Sequence, residues 1–152
     1  MKIDFPLSDV ATESVQPFQR TAAQQKKHLT LHIQPNLTLT GNSGMIQNLI
    51  GILMENAIKY SPAEGEIVFR LEKQGRNLIL SVFNTTESRI APSQLDRIFD
   101  RFYRADDSRN SATGGHGIGL SIAKRIVEAH GGKISASSPQ DRAFLISATF
   151  PC

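Results

Sequence analysis

Glu55, Asn56 and Lys59 sit close together in the segment MENAIKYSP. On a helix they converge on about one turn and a half. An amide oxygen and water can ligate Mg²⁺, a hard ion that prefers oxygen. An ammonium can meet a phosphate. A carboxylate can orient an attacking group or accept its proton. Taken alone, the three residues also fit a solvated helix face with a Glu55–Lys59 pair at i,i+4. The segment GGHGIGLSIAK is the second candidate, with Gly114, Gly115, Gly117 and Gly119 ahead of a helix. Glycines let backbone N–H groups approach phosphate oxygens, and a helix N-terminus adds partial positive charge. No strand leads directly into it, which disfavours a dinucleotide-binding turn, and GxxxxGK[ST] is absent. By itself it also fits a flexible loop with glycines at a helix start.

Elements must position these groups. Ile46, Leu49, Ile50, Leu53, Ala57 and Ile58 recur with a 3.6-residue period, so a helix over about 44–60 turns them toward a sheet. Asn48, Ile52, Glu55, Asn56 and Lys59 then fall on or near the other side. Asn42 or Ser43 is the N-cap, and Ser61-Pro62 ends the helix because a residue before proline avoids helical geometry. EIVFRLE (66–72) and NLILSVF (77–83), joined by KQGR, form a β-hairpin. A helix covers about 8–27, with Pro17 arguing for a late start or a kink. Lys2–Phe5, LTLHI (29–33) and part of PNLTLTGN read as strands. Pro92 opens a short helix through about Phe99, and 100–116 reads as a mobile loop. A helix over about 117–130 ends at Gly131-Gly132, and KISAS and AFLISATF are the closing strands. The order is mixed α+β, one sheet with helices on one face, in a single domain spanning 1–152.

Composition narrows the function classes. At 152 residues, with 39% hydrophobic and 20% charged, the chain can bury a real core. The net charge of +3 is scattered, without the dense basic stripe that nucleic acid requires. QQKKH (24–28) reads as a solvated helix end. The single cysteine, Cys152, allows no internal disulfide and suits a reducing compartment. The longest apolar run, LIGILM (49–54), is far short of a membrane span, and the start shows no signal-peptide pattern.

Three boxes in fixed order now make a resemblance specific. MENAIKYSP looks like the asparagine box of the catalytic, ATP-binding domain of bacterial sensor histidine kinases. RIFDRFYR followed by ADDSR resembles that family's phenylalanine box and lid, and GHGIGLSIAKRIVEAHGGKI its second glycine box and following helix. The wider group includes gyrase-type ATPases, heat-shock chaperones and anti-sigma-factor kinases. The resemblance implies a two-layer α/β sandwich of the Bergerat type: a mixed, mostly antiparallel sheet packed against three helices, with ATP under a lid at about 100–116. It implies that Asn56 ligates Mg²⁺ and that Glu55 orients or deprotonates the incoming histidine. Lys59 would contact phosphate, and Tyr60 would lie against adenine or ribose. Gly115, Gly117, Ile118 and Gly119 would hold the phosphates at the lid's end. Leu120 would line the pocket floor, and Phe99 and Phe102 would anchor the lid or simply pack.

SVFNTTESRI (81–90) departs from the pattern, since the family's strand ends in Asp-x-Gly-x-Gly, whose Asp accepts from the adenine amino group. Aligning on the strand end puts Asn84 in the Asp position; aligning on Ile90 puts Thr85 there, and Asn84 is preferred. The glycines are replaced by Thr85, Thr86, Glu87, Ser88 and Arg89, which resist positive φ. The loop is therefore expected to take a different path, with Arg89 near the pocket mouth.

The implied reaction is transfer of the ATP γ-phosphoryl group to a histidine, a step that relies on positioning and charge stabilisation. The acceptor would lie on a separate dimerisation domain, because His28, His32, His116 and His130 lack an HELRTPL-like context. The isolated chain is expected to bind nucleotide without phosphorylating itself. A response regulator is the implied downstream partner, and the cytoplasmic portion of a membrane-anchored sensor the implied location, with no membrane or nucleic-acid contact from this fragment. The glycine-less loop also suits a catalytically weakened nucleotide-binding or interaction module. The phenylalanine box and lid disfavour an anti-sigma serine kinase, and 152 residues leave no room for a DNA-processing transducer domain.

Overall fold

A computed structural model of the chain describes residues 3–100 and 119–152. The lid expectation therefore lies almost wholly outside the described residues, as do Phe102, Gly114, Gly115, His116, Gly117 and Ile118. The order of elements is β1 (Ile3–Pro6), α1 (Leu7–Gln24), β2 (His28–Ile33), β3 (Thr38–Gly41), α2 (Ser43–Tyr60), β4 (Glu66–Gln74), β5 (Asn77–Thr85), α3 (Pro92–Arg97), α4 (Gly119–Ala129), β6 (Lys133–Ser137) and β7 (Ala143–Pro151).

β4 and β5 are the predicted hairpin, with Gln74 opposite Asn77. They occupy the middle of a five-stranded sheet ordered β2-β4-β5-β7-β6. Only β2–β4 is parallel; the other pairs are antiparallel. The sheet is thus mixed and mostly antiparallel, as expected. Alternation along the central strands sends Ile67, Phe69 and Leu71 of β4 and Leu78, Leu80 and Val82 of β5 into the core.

Two expectations need correction. The strands do not form one sheet: β1 pairs antiparallel with β3 in a separate two-stranded ribbon. β1 runs directly into α1, and a single residue separates β3 from α2. That continuity keeps the ribbon with the helices. Nor does Pro17 delay or break the first helix, since α1 continues through it from Leu7 to Gln24. A proline removes one backbone donor, and here its ring lies on the exposed side while Val10, Ala11, Val15 and Ala22 face inward.

α2 is the central helix, packed between α1 and α4 and against β5. Leu49, Ile50, Leu53 and Met54 are fully buried, and the predicted apolar face is the one that meets the core. Asn42 caps it, its side-chain oxygen accepting from Met45 N at 3.0 Å. Among the described residues no helix is long and apolar enough to cross a membrane.

Candidate functional site

The C-terminal turn of α2 forms one wall of a cleft of about 410 Å³, to which Asn56, Lys59 and Tyr60 contribute. That volume lies in the range of small-molecule and cofactor sites. The burial pattern explains their orientation: Leu53, Met54, Ala57 and Ile58 take the core face, leaving Asn56, Lys59 and Tyr60 half-buried at its edge. The Lys59 ammonium lies 5.2 Å from the Tyr60 ring centroid.

The segment Thr86–Ile90 also lines the cleft, together with Gln94, Ile98 and Phe144 of β7, which adds an aromatic surface. The glycine-less segment turns without strain. No residue from 84 to 90 has positive φ. The left-handed residue sits instead across the sheet at Arg142, φ 58, whose carbonyl accepts from Thr86 N at 2.8 Å. Thr86 Oγ1 donates to Ser88 O at 2.7 Å. Arg89 lines the cleft mouth, as expected. Its Nε lies 3.9 Å from Asp141 Oδ1 with both side chains largely exposed, a pair of small energetic weight.

Asn84 is only 1% exposed and lies in register between Ile67 and the cleft-lining Phe144. Its Nδ2 donates to Thr85 O at 2.9 Å. A carbonyl can only accept, so this bond fixes the amide and leaves Oδ1 as the acceptor end. Thr85 is otherwise engaged, its Oγ1 accepting from Glu66 N at 3.0 Å.

Glu55 lies one step round α2 from Asn56. It is exposed and lines a neighbouring groove of about 350 Å³ between α1 and α2, together with Thr21, Gln25 and Lys27. Lys59 borders both spaces. Lys27 donates through Nζ to Ile58 O near the end of α2. Desolvation in this position pulls its pKa below the ordinary lysine value, against an opposing pull from Glu87. Gly119 and Leu120 begin α4, half-buried, where a Cβ on Gly119 would lie 3.9 Å from Ile52 of α2.

The structure thus gathers Asn56, Lys59 and Tyr60 on one cleft, sets Asn84 next to the cleft-lining Phe144, and puts Glu55 in a neighbouring groove. Sequence reasoning did not name Ser61, Gln94, Ile98 or Phe144 as lining residues, nor Thr86, Glu87, Ser88 and Ile90 of the glycine-less loop. Phe144 belongs to an alternating strand pattern that reads as core. Only the β5–β7 register reveals that it meets the cleft. Among the described residues no cluster of three or more His, Cys, Asp or Glu side chains is arranged to hold a metal by itself. A metal bound here would draw most of its ligands from phosphate and water, with Asn56 supplying an amide oxygen. That donor set is hard and suits Mg²⁺.

Residues 41–152 match the family described as histidine kinase-, DNA gyrase B-, and HSP90-like ATPase. Sensor protein DltS of Streptococcus agalactiae is 33% identical over 136 residues, 90% of this chain and 34% of that protein. The phosphate regulon sensor protein PhoR of Pseudomonas aeruginosa is 34% identical, over 88% of this chain and 29% of its own length. The chain therefore spans about a third or less of these curated relatives. The catalytic domain of histidine kinase ThkA superposes with a TM-score of 0.86 at 22% identity, covering 99% of this chain and 97% of that one.

Proposed function

The chain belongs to the histidine kinase-, DNA gyrase B-, and HSP90-like ATPase family, and from that premise we propose that it is the ATP-binding catalytic domain of a two-component sensor histidine kinase. One observation carries the reading: Asn56, Lys59 and Tyr60 line a nucleotide-sized cleft, and the buried amide of Asn84 adjoins Phe144, an aromatic that lines it too.

In this reading adenine enters beside Tyr60, Ile90, Ile98 and Phe144, and Asn84 Oδ1 accepts from its amino group. Thr85 is disfavoured as the reader because its hydroxyl already serves the start of β4. Lys59 meets a phosphate oxygen. Asn56 would hold Mg²⁺ through its amide oxygen, and the bound ion would supply neutralisation of phosphate charge. Gly115, Gly117, Ile118 and Gly119 complete the phosphate end, and Leu120 adds to the floor. An acceptor histidine from a separate dimerisation domain attacks the γ-phosphorus. A P–N bond forms as the bond to the β–γ bridging oxygen breaks, and ADP departs. Glu55 orients the imidazole and takes its proton; its place beside the cleft, on the side open to solvent, suits an incoming group. A response regulator then takes the phosphoryl group. We place the domain on the cytoplasmic side of a membrane-anchored parent, where ATP is available.

Binding of a fluorescent ATP analogue with and without Mg²⁺ tests the site, and labelled phosphate supplied with the cognate acceptor domain tests the transfer. Asn56→Ala should abolish the Mg²⁺-dependent part of binding; an unchanged Mg²⁺ dependence would count against the site. Tight binding without transfer to the acceptor would leave a nucleotide-binding module instead of a kinase.

A further inference from the structure

We infer that His130 is a positioning residue, whose imidazole bolts the end of α4 to the start of α2 and so sets the angle between α2, which carries Asn56, and α4, whose Gly119 and Leu120 belong to the proposed phosphate end. The inference rests on the nucleotide reading of the cleft. α4 ends at Ala129, and Gly131 in the left-handed region, φ 73, turns the chain back there. His130 Nδ1 lies 2.8 Å from Ile126 O, and Asn42 N donates to its Nε2 at 3.1 Å. The carbonyl only accepts and the amide only donates, so both partners demand the same neutral tautomer, protonated at Nδ1. The ring also meets Phe150 edge-on, with centroids 6.1 Å apart and planes at 87°. On the α2 side the contact is just as tight. A Cβ at Gly41 would lie 2.2 Å from His130 Cδ2, so Gly41 must lack a side chain for the ring to sit where it does.

The bolt lies at the far end of the helix pair from Asn56. α4 approaches α2 again at Gly119, beside Ile52. With that approach as a pivot, Asn42 is ten residues away on one side and Asn56 four on the other, lever arms of about 15 Å and about 6 Å. A slip of about 2 Å at the bolt would then move Asn56 by about 0.8 Å. A misplacement of about 1 Å at a positioning group can cost on the order of 10²-fold in function.

The test measures ATP affinity in Mg²⁺ beside thermal stability for the unsubstituted chain, His130→Ala, His130→Gln, Gly41→Ala and the double variant. All binding is read well below the lowest melting temperature, so that only folded protein is compared. His130→Ala should weaken ATP binding about tenfold. His130→Gln keeps an oxygen that accepts from Asn42 N and should stay within about threefold. Gly41→Ala should match His130→Ala. The double variant should be no worse than His130→Ala alone, because the ring that the new methyl would strike is gone. Should His130→Ala not fold, His130→Gln and Gly41→Ala still decide the matter. Lower melting temperatures with unchanged affinity would reduce His130 to a stability residue and overturn the inference, as would additive losses in the double variant. A failure of the unsubstituted chain to bind ATP would instead overturn the nucleotide reading, and the inference with it.

Discussion

In the proposed reading Asn84 would offer adenine a neutral amide oxygen in place of the carboxylate of the related motif, and a hydrogen bond to an ionised acceptor is roughly twice as strong. Its amide is held by donation to Thr85 O, so the acceptor end is set before any base arrives. Asn84→Ala removes the acceptor and should weaken ATP binding by roughly threefold to tenfold. Asn84→Asp should hold or strengthen it while lowering stability, because the donor to Thr85 O is lost as well. Indifference of affinity to both changes, read in a titration with fluorescent ATP, would remove Asn84 from the site. Lys27 makes a different prediction. Desolvation lowers its folded-state pKa below 10.5, so the unfolded chain binds its proton more tightly than the folded one. Stability should therefore rise with pH through the window between the folded value and 10.5, and level off above it. Lys27→Met lacks this titration. Denaturant unfolding of both proteins across that alkaline range should show their stability difference changing in favour of the lysine; a constant difference would refute it.

At the scale of elements, α2 carries the most consequence, because one helix supplies the core face, the cleft wall and the cap. Asn42 accepts from Met45 N, and Asn42→Ala should cost about 1 kcal/mol. The backbone donor to His130 remains in that variant, so ATP affinity should barely change, and the denaturant midpoint should fall without a change in slope. α2 was also the most legible element. An N-cap, a 3.6-residue apolar period and Ser61-Pro62 are local signals, and they fix its ends to within a residue. The β4–β5 hairpin was legible for the same reason. The β1–β3 ribbon was not, since strand partners are chosen by tertiary packing that no local pattern encodes. The cleft was half legible. Asn56, Lys59 and Tyr60 are neighbours in sequence, whereas Phe144 reaches them only through the β5–β7 register. Glu55 could not be separated from Asn56 by periodicity, because adjacent residues differ by only a fraction of a turn and the packing of α1 decides which space each one meets.

For the whole molecule, the cleft is lined from α2, the β5–α3 segment and β7, elements that also contribute to the hydrophobic core of the described residues. Binding there must therefore stabilise the entire fold. A ligand at 100 times its dissociation constant adds about 2.7 kcal/mol. If the 152 residues unfold as one unit, that corresponds to a rise in melting temperature of roughly 5–10 °C. ATP with Mg²⁺ should produce this shift, and Asn56→Ala should retain only the part that ATP gives without the metal. GTP at the same concentration should shift it less, because its ring carbonyl would face Asn84 Oδ1, acceptor against acceptor. Calorimetric scans of the one protein with each nucleotide separate these cases. Equal shifts from ATP and GTP would mean that the phosphate end binds and Asn84 reads no base. No shift from either, at millimolar nucleotide, would leave the cleft without its proposed ligand.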